Sequence, residues 1–191
     1  MNIVKIRPLA TLAAATVLLS ACGGGTDEST ADRFARTAEQ QARTQKAPAA
    51  TPAPTATTIQ PTAGERDLNT KPKIPKSTGA APKQLKVEDV IVGKGAAAKS
   101  GDKLSVRYVG VLYDNNKQFD ASWDRGKAPF DVTLGAGQVI AGWDQGLIGM
   151  KVGGRRKLTI PPDQAYGAQG QPPTIPANST LVFEIDLTKI G

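Results

Sequence analysis

The chain has no histidine and a single cysteine, Cys22, among its 191 residues. Catalysis by Ser-His-Asp or Cys-His groups and the usual zinc sites therefore cannot be built from it, and neither can a disulfide within the chain. No metal and no cofactor are expected. Aromatic residues make up only 5% of the sequence. After the first twenty residues almost all the large ones lie beyond Leu85: Tyr108, Tyr113, Phe119, Trp123, Phe130, Trp143, Tyr166 and Phe183. Only that half can bury a sizeable core. What remains open is chemistry by carboxylates, Lys, Tyr or Ser, or chemistry by binding alone.

Acidic residues are outnumbered, giving a net charge of +7, yet the excess is spread out. From Lys83 to Gly191 there are 14 Lys and Arg against 11 Asp and Glu, about +3 for that half. The one dense basic run, Arg155-Arg156-Lys157, leads into Leu158-Thr159-Ile160 and reads as the solvated edge of a strand. A nucleic-acid footprint needs a wider basic face, so no nucleic-acid partner is expected.

Residues 1–21 read as a signal peptide. Lys5 and Arg7 form a basic start, and Leu9 to Leu19 an apolar stretch shorter than the ~20 residues of a spanning helix. Leu19-Ser20-Ala21-Cys22 resembles the lipobox of bacterial lipoproteins, which implies cleavage before Cys22 and acylation of its thiol and new amino group. Several acyl chains hold a protein at a membrane where one does so only marginally. Gly23 resembles the following residue of lipoproteins that travel to the outer membrane, implying an extracytoplasmic domain facing the periplasm. Residues 22–82 read as a lipid-anchored, disordered linker dominated by Ala, Pro and Thr. Within it, Ser29 to Lys46 has helix-forming composition without an apolar stripe.

Residues 83–191 carry strand periodicity. Leu85 to Val92, Leu104 to Leu112, Phe130 to Leu134, Arg156 to Ile160 and Leu181 to Leu187 read as five strands, most of them alternating apolar with polar. Val139 to Leu147 instead spaces Val139, Ile140, Trp143 and Leu147 as one short helix with an apolar face. The expected class is α+β: a five-stranded twisted antiparallel sheet wrapped around that helix.

The runs Arg107-Tyr108-Val109-Gly110, Gln118-Phe119-Asp120-Ala121-Ser122, Phe130 with Leu134-Gly135, and Val139-Ile140-Ala141-Gly142-Trp143 resemble the FKBP family in order and spacing. So do Gly149-Met150-Lys151-Val152-Gly153, Lys157 to Pro161, Ala165-Tyr166-Gly167, Ile175-Pro176 and Leu181 to Glu184. The resemblance implies a peptidyl-prolyl cis-trans isomerase that helps proteins fold. It implies a proline pocket lined by Tyr108, Phe119, Val139, Ile140, Trp143 and Phe183, with Phe130 and Ile175 on its wall and the proline ring resting on Trp143. It further implies that Asp120 brings charge to the rim, that Arg125 orients Asp120 and Tyr108, and that the Tyr166 hydroxyl and Ile140 N–H bond ligand carbonyls. Each such residue taken alone would be an ordinary core aromatic or surface charge.

The chemistry suits the absences. Rotation about an X-Pro bond breaks amide conjugation but no covalent bond, over a barrier of about 18 to 20 kcal/mol. Gln171, Thr174 and Trp123 depart from the usual family pattern at positions expected to border the pocket, and bear on substrate preference and on macrolide inhibitors. The expected partners are proline-containing flexible segments, macrolides among small ligands, and a membrane through the anchor only, for a monomeric protein. A non-catalytic chaperone or binding module on the same fold is the alternative.

Overall fold

The computed structural model describes residues 54–61, 67–126 and 128–191. Seven strands form one sheet: β1 (Thr57–Thr58), β2 (Lys86–Ile91), β3 (Lys103–Leu112), β4 (Gln118–Ala121), β5 (Phe130–Thr133), β6 (Gly154–Ile160) and β7 (Leu181–Ile190). Their order is β1-β2-β6-β7-β3-β4, with β5 also paired to β3. Every pairing is antiparallel except that of β1 with β2. Between β5 and β6 lies one short helix, α1 (Ala141–Gly146). The α+β class and all five expected strands are present.

The alternation along β3 and β7 sorts side chains onto two faces. Leu104, Val106, Tyr108 and Leu112 join Leu181, Phe183, Ile185 and Leu187 in the main core, together with Trp143 and Leu147. Val109, Val111 and Val182, one residue out of phase, form a second cluster with Ala121, Trp123 and Ile74. We call these the inner and outer faces. Helix α1 reaches the sheet closely because Gly142 presents no side chain: a Cβ there would stand 2.4 Å from Ile160 Cγ2.

Several elements differ from expectation. Strand β4 has only four residues, too short to alternate visibly, and is defined by its pairing with β3 through a bulge at Gly110 and Val111. Helix α1 begins at Ala141, not Val139, because Ile140 has an extended ψ of 147°. Arg155 and Arg156 are not a solvated edge. Strand β6 lies between β2 and β7, and the two guanidinium groups are buried at 0% and 4% exposure. Arg155 pairs with Asp186 and Arg156 with Asp89, which is how buried charge is tolerated.

The segment read as linker up to Pro82 also differs where it is described. Thr57 and Thr58 extend the sheet beside Glu88 and Asp89. Residues 67–80 run across the outer face, where Ile74 is 6% exposed. Side chains of the sheet and of the turn between β3 and β4 donate to the backbone of this strap: Arg155 to the carbonyls of Asp67 and Thr70, Arg107 to Leu68, Asn116 to Ile74, and Tyr113 to Thr78 and Ala80. Residues 1–53, with Cys22 and the Ser29 to Lys46 stretch, lie outside the described residues.

Candidate active site

Four strands and the helix each deliver one aromatic ring to the inner face: Tyr108 from β3, Phe119 from β4, Phe130 from β5, Phe183 from β7 and Trp143 from α1. The rings meet edge to face. Trp143 lies 5.2 Å from Tyr108 and 5.3 Å from Phe183 between centroids, at interplanar angles of 84° and 85°. Phe119 meets Phe183 at 5.4 Å, and Phe130 meets Tyr108 at 5.9 Å. Such contacts set the positive edge of one ring against the negative face of the next and lock the arrangement. Val139, Ile140, Tyr166 and Ile175 belong to the same cluster.

Polar groups converge on one side of the rings. The Tyr108 hydroxyl donates to Asp120 Oδ2 at 2.5 Å, and Arg125 donates to Asp120 Oδ1 at 2.5 Å and to the Tyr108 oxygen at 2.9 Å. The three groups form a closed triangle. Burial, reinforced by the Asp120 charge, pushes the Tyr108 hydroxyl well above its ordinary value. Burial works against the charge on Arg125, but its bonds to Asp120 and Tyr108 outweigh this and leave its pKa raised. Tyr108 and Arg125 therefore keep one protonation state around neutrality.

Arg125 closes a four-residue 3-10 turn, Ser122–Arg125. The turn is tied back to the site at its start, where the Ser122 hydroxyl accepts the Tyr108 N–H at 2.9 Å. Two further donors of the cluster have no acceptor among the described residues. The Tyr166 hydroxyl makes no hydrogen bond among the described residues, and burial followed by the Asp120 charge raises its pKa. The Ile140 carbonyl accepts the N–H groups of Trp143 and Asp144, whereas its own N–H has no acceptor among the described residues. The chain entering Ile140 is held by Asp144, which accepts the N–H groups of Gly135 and Gly137 at 2.8 and 3.2 Å.

All the site residues expected in residues 83–191 are thus brought into one region. Asp120 and Arg125 reach it through Tyr108, and the remainder pack against one another. Gln171 and Thr174 sit in the turn that leads to Ile175, which hydrogen-bonds back to Gln171. Trp123 does not border the pocket. Its ring is buried on the outer face with Ile74 and Val109, under the Arg107 guanidinium 5.2 Å from its centroid. A residue missed as functional is Gly110, opposite Asp120 in β3: a Cβ there would stand 2.6 Å from Phe119 and 2.9 Å from Phe183. A glycine inside a strand was the available signal, since it marks close approach by another group. An open groove of about 480 Å³ beside Pro82 and Pro162 includes none of these aromatic residues.

An apolar, aromatic cluster with few convergent polar groups, set between a twisted sheet and one short helix, has the composition of small-ligand sites. Residues 94–188 match the model of the FKBP-type peptidyl-prolyl cis-trans isomerase family. A probable FK506-binding protein of Corynebacterium glutamicum is 49% identical over 117 residues, spanning 61% of this chain and 96% of that protein. The 39 kDa FK506-binding nuclear protein of Drosophila melanogaster is 56% identical over 106 residues, 56% of this chain but only 29% of its own length. The crystal structure of AtFKBP13 superposes with a TM-score of 0.53 at 38% identity, covering 58% of this chain and 96% of that one. The chain belongs to the FKBP-type peptidyl-prolyl cis-trans isomerase family.

Proposed function

We propose that the chain accelerates cis-trans rotation about X-Pro bonds in extracytoplasmic proteins, working from a lipid anchor at Cys22, and that the aromatic cluster is its proline pocket. The observation that carries this reading is the edge-to-face set of Tyr108, Phe119, Trp143 and Phe183 with polar groups only at its margin. A proline ring seated on Trp143 places its imide bond between the Tyr108–Asp120–Arg125 triangle and the donors of Tyr166 and Ile140. Those donors hold the flanking carbonyls while the bond turns. The twisted imide has lost its conjugation and its charge separation, so a dry aromatic surface disfavours it less than the planar ground state. No proton is transferred, and no metal or cofactor enters the step.

The lipobox-like Leu19-Ser20-Ala21-Cys22 supports an anchored form. Among the described residues no helix is long and apolar enough to cross a membrane. Proline-bearing flexible segments are the proposed substrates and macrolides the proposed inhibitors, for a protein acting as a monomer. The test is the cis-to-trans rate of a short proline peptide with the chain from Gly23 onward, beside Phe119→Ala. Acceleration that drops at least tenfold in the variant supports the pocket. A folded chain that gives no acceleration points to a binding module.

A further inference from the structure

We propose that residues 67–80 form a positioning strap for Arg125, and through it for the polar rim of the pocket. This rests on the reading of the inner face as a proline pocket. The link between strap and rim is the four-residue turn Ser122–Arg125, whose consecutive side chains are held from opposite sides. Ser122 and Arg125 bind Tyr108 and Asp120 at the pocket. Trp123 and Asp124, between them, are held on the outer face. Trp123 packs with Ile74 of the strap under Arg107, and Arg107 donates to the Leu68 carbonyl at 3.5 Å. Asp124 accepts from Lys71 of the strap at 2.5 Å and from Gln118 of β4 at 2.7 Å.

A 3-10 turn has too few backbone bonds to hold its own geometry against a shift at one side. The angle at which Arg125 leaves the turn therefore depends on where Trp123 and Asp124 sit. Arg125 is partly exposed, and among the described residues two hydrogen bonds hold its guanidinium, so a small tilt separates it from the Tyr108 oxygen. Tyr108 then keeps Asp120 but loses Arg125, one of the two partners that hold its hydroxyl. Lys71 and Ile74 act through other residues and touch no substrate, so they are positioning residues.

The test uses the chain from Gly23 onward with Lys71→Ala, Ile74→Ala and Lys71→Arg, each in the parent and in an Arg125→Ala background. Two readouts are taken: kcat and KM on a proline peptide, and the NMR line of the Arg125 side-chain N–H. In the parent, Lys71→Ala and Ile74→Ala are expected to lower kcat/KM roughly two- to tenfold and to broaden or shift the Arg125 line, with Lys71→Arg restoring both. In the Arg125→Ala background the same substitutions leave kcat/KM unchanged, because the group they position is gone. A strap that only adds stability lowers Tm but leaves the Arg125 line and kcat/KM as in the parent, and that result overturns the proposal. Equal losses in both backgrounds overturn it as well. A parent chain with no isomerase activity sinks the functional reading alone, since the Arg125 line still decides the positioning role.

Discussion

Gly110 shows how much of the aromatic cluster depends on what a residue lacks. Phe119 and Phe183 fold over it, and an alanine methyl would enter the space their rings occupy. Gly110→Ala is expected to cost about 1–3 kcal/mol of stability through overpacking. Displaced rings should also lower kcat/KM by roughly tenfold or more; unchanged kinetics would mean these rings do not shape the pocket. The protonation states give a second prediction. The chain has no histidine, burial raises Tyr108 and Tyr166, and Arg125 is raised by its partners. Carboxylates titrate mostly below about pH 5 and ordinary tyrosines near pH 10, so kcat/KM is expected to stay flat between roughly pH 6 and 9. A bell-shaped profile across that range would demand a titrating acid or base that this site does not contain. At this scale the site was legible through the joint pattern of Tyr108, Phe119, Asp120, Trp143, Tyr166 and Phe183. Trp123 was misplaced because its sequence position beside the pocket residues does not disclose which face of the sheet its ring takes.

Strand β6 carries the clearest lesson among the elements. Its basic run suggested solvent, yet the strand is central, and each arginine finds its carboxylate on a neighbouring strand far off in sequence. Such long-range pairing cannot be read from one segment. Asp186 is raised by burial, with Arg155 working in the opposite direction. Arg155→Ala strips that carboxylate of its hydrogen-bonded partner and leaves only the charge of Arg107, which should cost about 3–5 kcal/mol, while Arg155→Met with Asp186→Leu should recover most of the loss. The sign with pH follows from the raised folded-state value. Without Arg155, Asp186 is protonated more readily folded than unfolded, so its contribution favours the fold at low pH and is lost as pH rises. The Tm deficit of Arg155→Ala should therefore shrink on acidification towards about pH 4, the range of ordinary carboxylate titration. A deficit that is constant with pH would exclude a charge origin. The strands with long alternating runs, β3 and β7, were the most legible. The four residues of β4 and the two of β1 show no period of their own and are defined by their partners.

For the molecule as a whole, composition divided the chain between a polar N-terminal stretch and a folded half, and the divide is less sharp than it suggested. Residues 67–80 offer few apolar side chains, but the outer face grips their carbonyl groups, which every sequence possesses. Side-chain composition is silent about such binding. For the proposed anchor, Cys22→Ser is expected to move the protein from the membrane fraction to the soluble one. Retention in the membrane would exclude lipidation at this residue.

The chain's only two tryptophans lie on opposite faces of the sheet, Trp143 in the aromatic cluster and Trp123 under the strap. The most direct measurement is an NMR titration of the chain with a proline peptide, following both indole N–H resonances and the peptide's cis-trans exchange. Faster exchange together with a shift of Trp143 and a still Trp123 is the expected outcome. A folded protein whose exchange is not accelerated, or whose Trp123 responds while Trp143 does not, would contradict the assignment of the inner face as the catalytic pocket.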